Sequence, residues 1–117
     1  MAEQRVKAMQ IAKRGYIHEF LEKDGTHKND VLIVSSDGRS HDKYISIIMV
    51  GDNPSGYDVV PVKYNNQERY IHREMVTFCM RGRLGKPICK VSDRTMAEID
   101  AGLIRGLGLG KEKILSN

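Results

Sequence analysis

Two adjacent residues in this sequence have side chains that can work together chemically. His27 is of the residue type best suited to moving protons near neutrality, and Lys28 is a point charge suited to an anion such as phosphate. They stand in a polar stretch, Thr26-His27-Lys28-Asn29-Asp30, behind the turn signal Asp24-Gly25. A titratable group on a loop is a better functional candidate than one in a core. Nothing places His18, His41 or His72 beside another candidate. Cys79 and Cys89 are too few for a metal set or a disulfide framework, and each reads as a small buried hydrophobe in a strand. No residue cluster has metal-ligand spacing, so the sequence implies neither a metal nor another cofactor.

The elements that must position these residues are short strands. Tyr16 to Leu21 reads as a first strand, followed by the Asp24-Gly25 turn and a polar loop reaching Asp30. Val31-Leu32-Ile33-Val34 is a continuous apolar run of strand length, as expected where both faces are covered. Ser35 to Lys43 is a polar connection, Tyr44 to Val50 a second buried strand, and Gly51-Asp52-Asn53-Pro54 its stop. Tyr57 to Val62 follows, with Pro61 arguing for an edge or a bulge. Asn65-Asn66, between Val62-Lys63-Tyr64 and Arg69-Tyr70-Ile71, predicts a hairpin turn with positive φ at one or both asparagines. Met75 to Met80 and Ile88 to Val91 complete the strands, and so many short strands point to a small closed or half-closed barrel.

One helix follows. Ser92 or Asp93 can cap it. Met96, Ile99, Leu103 and Leu107 form a single apolar stripe for packing on the sheet, and Gly106 and Gly108 offer left-handed stops. At 117 residues with 40% hydrophobic and 29% charged content, the chain reads as one soluble domain with its own core. No apolar run approaches the roughly 18 residues of a membrane span, and there is no signal-peptide segment, so a cytoplasmic protein without membrane contact is expected. The net charge of +4 is compatible with nucleic acid or an acidic peptide as partner.

Lys13-Arg14-Gly15, Asn29-Asp30-Val31-Leu32-Ile33-Val34-Ser35, the connection from Ser36 to Tyr44, Arg83-Leu84-Gly85-Lys86 and the block from Ser92 to Leu109 occur in an order that resembles the MazF/PemK/Kid toxin family. The family's versions begin K-R-G-D-I and R-P-V-L-I-V-S. The resemblance implies a mainly β fold with a C-terminal helix, an SH3-like small barrel of the MazF/Kid/CcdB type. It covers a single domain at 13–110, between an N-terminal arm or short helix at 1–12 and a tail at 111–117. It further implies a homodimer, neutralised by an acidic antitoxin peptide, that cleaves single-stranded RNA without a metal. In that reaction the ribose 2′-hydroxyl attacks the adjacent phosphate, which calls for a base, an acid and a donor for the charge on phosphate.

The chain departs from the family at the residues that carry this chemistry. The family's arginine before P-V-L-I falls on Asn29, and its Thr-Ser pair falls near Gly51-Asp52. Its E-Q-I-R-T-I-D-K run falls on Glu74 to Arg81, with arginine replaced by Thr77 and aspartate by Met80. The expected substitutes are His27, Lys28 and Thr77 for catalysis and Arg14, Asn29, Asp52 and Arg81 for nucleic-acid contact. The expected function is an endoribonuclease toxin. Its alternatives are a catalytically degenerate module of the same fold that binds nucleic acid or a partner protein, and a structural or regulatory module. Gyrase-poisoning relatives use a C-terminal tryptophan, which this chain lacks.

Overall fold

The computed structural model describes residues 11–55 and 58–106. Six strands, β1 (Tyr16–Leu21), β2 (His27–Ile33), β3 (Tyr44–Gly51), β4 (Val59–Tyr64), β5 (Gln67–Met80) and β6 (Leu84–Lys90), precede one helix, α1 (Asp93–Gly106). The strands form one antiparallel sheet in the order β4-β5-β3-β2-β1-β6. Tyr57, Leu107, Gly108 and the tail at 111–117 lie outside the described residues, as do residues 1–10 of the expected arm. Of that arm, Ala12 is fully buried and donates its N–H to the Ser40 carbonyl at 3.0 Å.

Chain length forces the sheet to curl. Met80 ends β5 and Leu84 begins β6, yet β3, β2 and β1 lie between those two strands. In a flat sheet, four inter-strand steps of roughly 4.8 Å would separate β5 from β6 by about 19 Å. Four residue steps of extended chain reach at most about 14 Å. The sheet therefore bends into a half-barrel, and Cys79 of β5 meets Leu84 of β6 in one cluster with Val31, Ile33, Ile45 and Ile47. The alternate residues Leu32, Ile48 and Val50 face the other way, toward Ile17, Val60, Ile71 and Ile99 of α1.

The turns follow their residue types. Asn65 and Asn66 have φ of 52° and 60°, so both adopt the left-handed conformation that a two-residue hairpin demands. Pro61 is tolerated because β4 is an edge strand. The polar loop expected to run to Asp30 is instead a tight turn over Glu22 to Thr26. Gly25 supplies φ of +87°, and the Asp24 carboxylate accepts from both the Thr26 N–H and its hydroxyl. The chain has reversed by His27, where Leu21 offers it a ladder partner, so β2 starts four residues earlier than the apolar run suggested.

Met75 to Met80 and Arg69 to Ile71, expected as separate segments, are one strand. Between Val50 and Ile48 β3 advances two residues, while β5 advances five, from Ile71 to Val76. The odd surplus turns the side chains over: Ile71 faces the helix side, whereas Cys79 faces the inner cluster. Within this bulge Arg73 pairs with Asp58 and donates to the Glu98 carbonyl of α1 at 2.7 Å. Its guanidinium crosses Gly102, where any Cβ would overlap it. Ser92 caps α1, its hydroxyl accepting from the Thr95 N–H at 3.1 Å. Met96, Ile99 and Leu103 then pack on the sheet as the stripe predicts.

Both cysteines are free, and burial pushes the Cys79 thiol up to about 11, which suits an inert packing group. His18 is 2% exposed and bonds the Gly85 carbonyl through Nδ1 at 3.0 Å. Burial lowers its pKa, partly opposed by that bond. Below about pH 6.5 the unfolded chain takes up a proton that the folded one resists, so this contribution to stability is complete above that pH and declines below it. His18→Asn, which keeps an N–H donor without the titration, should narrow the difference in melting temperature between about pH 7 and pH 5 relative to wild type.

Candidate active site

His27 reaches its neighbours because of a bulge. Phe20 pairs with Asn29 and Leu21 with His27, leaving Lys28 as an extra residue in β2. Residues three apart in a regular strand point to opposite faces. The extra residue turns His27 onto the face of Asp30, and its Nε2 lies 2.7 Å from Asp30 Oδ1. Glu19 of β1, directly across from Asp30, has a carboxylate oxygen 3.4 Å from Nδ1 of the same ring. The imidazole is 41% exposed. The Lys28 side chain lies outside the described part of the structure.

Asp30 is 3% exposed, and a carboxylate that deep needs compensation. The Tyr64 hydroxyl donates to its Oδ2 at 2.6 Å, and Arg69 Nη2 stands 3.5 Å from the same oxygen. Burial, then the Asp30 hydrogen bond and charge, raise the Tyr64 pKa, so the phenol stays a donor. Arg69 also lies over the Tyr64 ring, 5.9 Å from its centroid, and its Nη1 pairs with Asp52. Burial opposes the Arg69 charge, but the contact with Asp52 and the neighbouring Tyr64 and Asp30 outweigh it, so its pKa is raised. Glu19, His27, Asp30, Tyr64, Arg69 and Asp52 thus form one continuous polar network on the helix side of the sheet.

This arrangement holds a part-exposed imidazole between two carboxylates, Nε2 on the buried Asp30 and Nδ1 facing Glu19. It also offers a guanidinium beside the same carboxylate. Of the expected site residues, His27 and Asp52 belong to the network. Asn29 is exposed on the opposite face of β2. Thr77 is exposed on β5 opposite Ile47, on the inner-cluster face and six residues of β2, roughly 20 Å, from His27 along the strand direction. The Arg14 guanidinium bonds the Val34 carbonyl and Asp100 of α1. Arg81 donates from Nε to the Asp42 carbonyl at 3.0 Å, in the turn after β5.

Sequence reasoning overlooked Asp30, Glu19 and Arg69 as members of a site. The period-2 signal was present: Asp30, two residues before the buried Leu32, shares its inward face. An open hollow of about 520 Å³ lined by Glu22, Lys23, Asp24, Thr26 and Arg83 borders the turn that precedes His27. Among the described residues no group of three or more His, Cys, Asp or Glu side chains is arranged to hold a metal ion. No described helix is long and apolar enough to cross a membrane.

The sequence matches no protein-family model and no curated protein, whereas the folded chain matches solved structures over most of its length. A MazE–MazF complex from Deinococcus radiodurans aligns with a TM-score of 0.73 at 14% identity, covering 85% of this chain and 97% of that one. The chain has the MazF fold. A mycobacterial endoribonuclease aligns with a TM-score of 0.71 at 19% identity, covering 86% of this chain and 94% of the other. Another mycobacterial endoribonuclease, in complex with its cognate antitoxin, gives 0.70 at 22% identity, with 86% and 96% covered. The expected half-closed barrel with a C-terminal helix is thus borne out as a MazF-type fold, with β4 and β6 as its open edges.

Within that fold the Asp30 network is a structural dependency. Tyr64→Phe removes the closest O–H donor to a buried carboxylate while keeping the ring. It should lower unfolding free energy in urea by about 1–3 kcal/mol.

Proposed function

We propose that this protein is a toxin of the toxin–antitoxin type that cleaves single-stranded RNA without a metal. The observation that carries the reading is the His27–Asp30 pair on a MazF fold. With Nε2–H given to Asp30, Nδ1 of His27 takes the proton of a ribose 2′-hydroxyl. The freed oxygen forms a bond to the adjacent phosphorus, the bond to the 5′-oxygen breaks, and a 2′,3′-cyclic phosphate results. The 5′-oxygen leaves with a proton supplied by the solvent or by the imidazolium just formed. Asp30 and Glu19 stabilise that imidazolium, the role a carboxylate plays for histidine in hydrolytic triads. Lys28, next in sequence, is assigned to the charge developing on phosphate. Thr77 enters the chemistry only if a second copy of the chain presents it.

The purified protein should cut unstructured RNA in excess EDTA and leave a 2′,3′-cyclic phosphate. His27→Ala should slow cleavage by roughly 10²–10⁴-fold, as expected for losing a general acid or base, while His41→Ala stays near wild type. Intact RNA with wild-type protein that still binds it would favour the catalytically degenerate module instead. Normal cleavage by His27→Ala would leave the enzyme standing and remove His27 from its centre.

The protein works as a homodimer in this reading. From residue 73 onward β5 has no β4 partner, and Met75, Val76, Phe78 and Met80 are exposed there beside Tyr44, with Phe78 at 67%. The Tyr44 and Phe78 rings pack edge to face at 5.8 Å. A free strand edge carrying large apolar side chains is unfavourable in a lone monomer and supports pairing with a second copy. Sedimentation at micromolar concentration should give a dimer, and Phe78→Glu should shift it to monomer without loss of secondary structure. An acidic antitoxin peptide is the proposed inhibitor, supported by the net charge of +4 and by structural neighbours solved with antitoxins. The cytoplasm is the proposed location.

A further inference from the structure

We propose that Arg69 is the phosphate-binding cation of this site and that Asp52 is its displaceable counter-ion. The inference rests on the RNA reading above and supplies the guanidinium that Asn29 cannot. Arg69 is held unequally on its two sides. Inside, Asp30 is 3% exposed and Tyr64 lies beneath the guanidinium, so the plane is oriented by groups that cannot leave. Outside, Nη1 pairs with Asp52, whose side chain is 83% exposed and sits just beyond the end of β3. The Asp52 carboxylate stays largely in water, so an incoming phosphate can take its place at little cost. It then meets a fork whose geometry suits two phosphate oxygens.

Three other arginines are committed to the fold. Arg14 ties Val34 and Asp100 together, Arg73 spans Asp58 and the Glu98 carbonyl, and Arg83 donates to the Leu21 carbonyl while covering Phe20. Arg69 alone among these four shares a carboxylate with His27, so its fork and the His27 imidazole meet across Asp30. A phosphate bound there lies beside the group proposed to exchange the proton. Asp52 therefore acts on RNA by yielding its position, in electrostatic competition with the substrate.

The test is binding of an uncleavable 2′-O-methyl oligonucleotide, read by fluorescence anisotropy over a range of salt. Asp52→Asn should tighten binding by up to about fivefold, the equivalent of losing one exposed ion pair. Glu68→Gln is the control, since it makes the same charge change at an exposed, neighbouring position on β5. It should shift affinity distinctly less. Arg69→Gln should weaken binding and reduce the slope of log affinity against log salt by about 0.7, one phosphate contact on a single strand. Arg69→Lys should recover the slope but not the full affinity. In an Arg69→Gln background the gain from Asp52→Asn should vanish.

A gain that persists in that background overturns the proposal. If Arg69→Gln does not fold, the comparison of Asp52→Asn with Glu68→Gln decides alone, and equal effects overturn the proposal. Wild-type protein that fails to bind the oligonucleotide overturns the RNA reading itself. Wild-type protein that binds, with the two single-charge variants indistinguishable, overturns only the assignment of Arg69.

Discussion

The three-residue link from Met80 to Leu84 constrains the rest of the molecule. Because it is too short to cross a flat sheet, β6 can pair with β1 only if the strands between them bend. Bending makes one face of the sheet narrow and the other wide. The narrow face is filled by Ile, Val, Ala and Cys, with Cys79 and Leu84 meeting across the curl. The wide face needs a cover, and α1 provides it by laying Met96, Ile99 and Leu103 over β4 and β5. Gly102 lets the helix lie close, because Arg73 occupies the space a side chain would take. An alanine there would gain roughly 1 kcal/mol of helix propensity. It would also displace a guanidinium held by Asp58 and the Glu98 carbonyl.

Where the apolar packing of the wide face gives out, toward the hairpin turns, the same surface continues as the Asp30 network. An isolated carboxylate at that depth would be strongly disfavoured, and Tyr64, His27 and Arg69 converge on it from three strands. Stability and the proposed chemistry therefore depend on the same groups. Asp30 orients His27 because it must be hydrogen-bonded. Arg69 stays near His27 because a buried anion needs a cation. A site built this way is rigid on its inner side and open on its outer side, where the imidazole is half-exposed and Asp52 is almost free.

Much of this fold was legible in the sequence. The first strand, the double-asparagine turn, the edge position of Pro61, the capped helix and its apolar stripe each follow from local chemistry that tertiary structure had no reason to override. The order of weak motifs also pointed to the MazF architecture, although no single motif is specific. The two β-bulges that set the faces of His27 and Thr77 were not legible. A bulge leaves no compositional mark, because it depends on how two strands fall into register, and Lys28 looks like any strand residue. Yet that bulge turns His27 onto Asp30, and the larger one in β5 places Ile71 and Thr77 on opposite faces. Reading His27 as a loop residue thus singled out the side chain without finding its contact with Asp30.

The departures from the family pattern have a physical logic on this sheet. Asn29 is on the face of β2 that carries Val31 and Ile33, opposite Asp30, so an arginine there would need to reach around the strand to join Asp30. Arg69 enters the same neighbourhood from β5 on the wide face, so losing a cation at one position need not leave the region without one. The strand that brings it is long and bulged, and the hairpin at Asn65-Asn66 aligns it so that Arg69 and Tyr64 stack. A fold can thus keep its sheet while the charged groups on it change strands, provided they project onto the same face. Sequence comparison by position would not bring the two sites together, because Arg69 lies forty residues from Asn29.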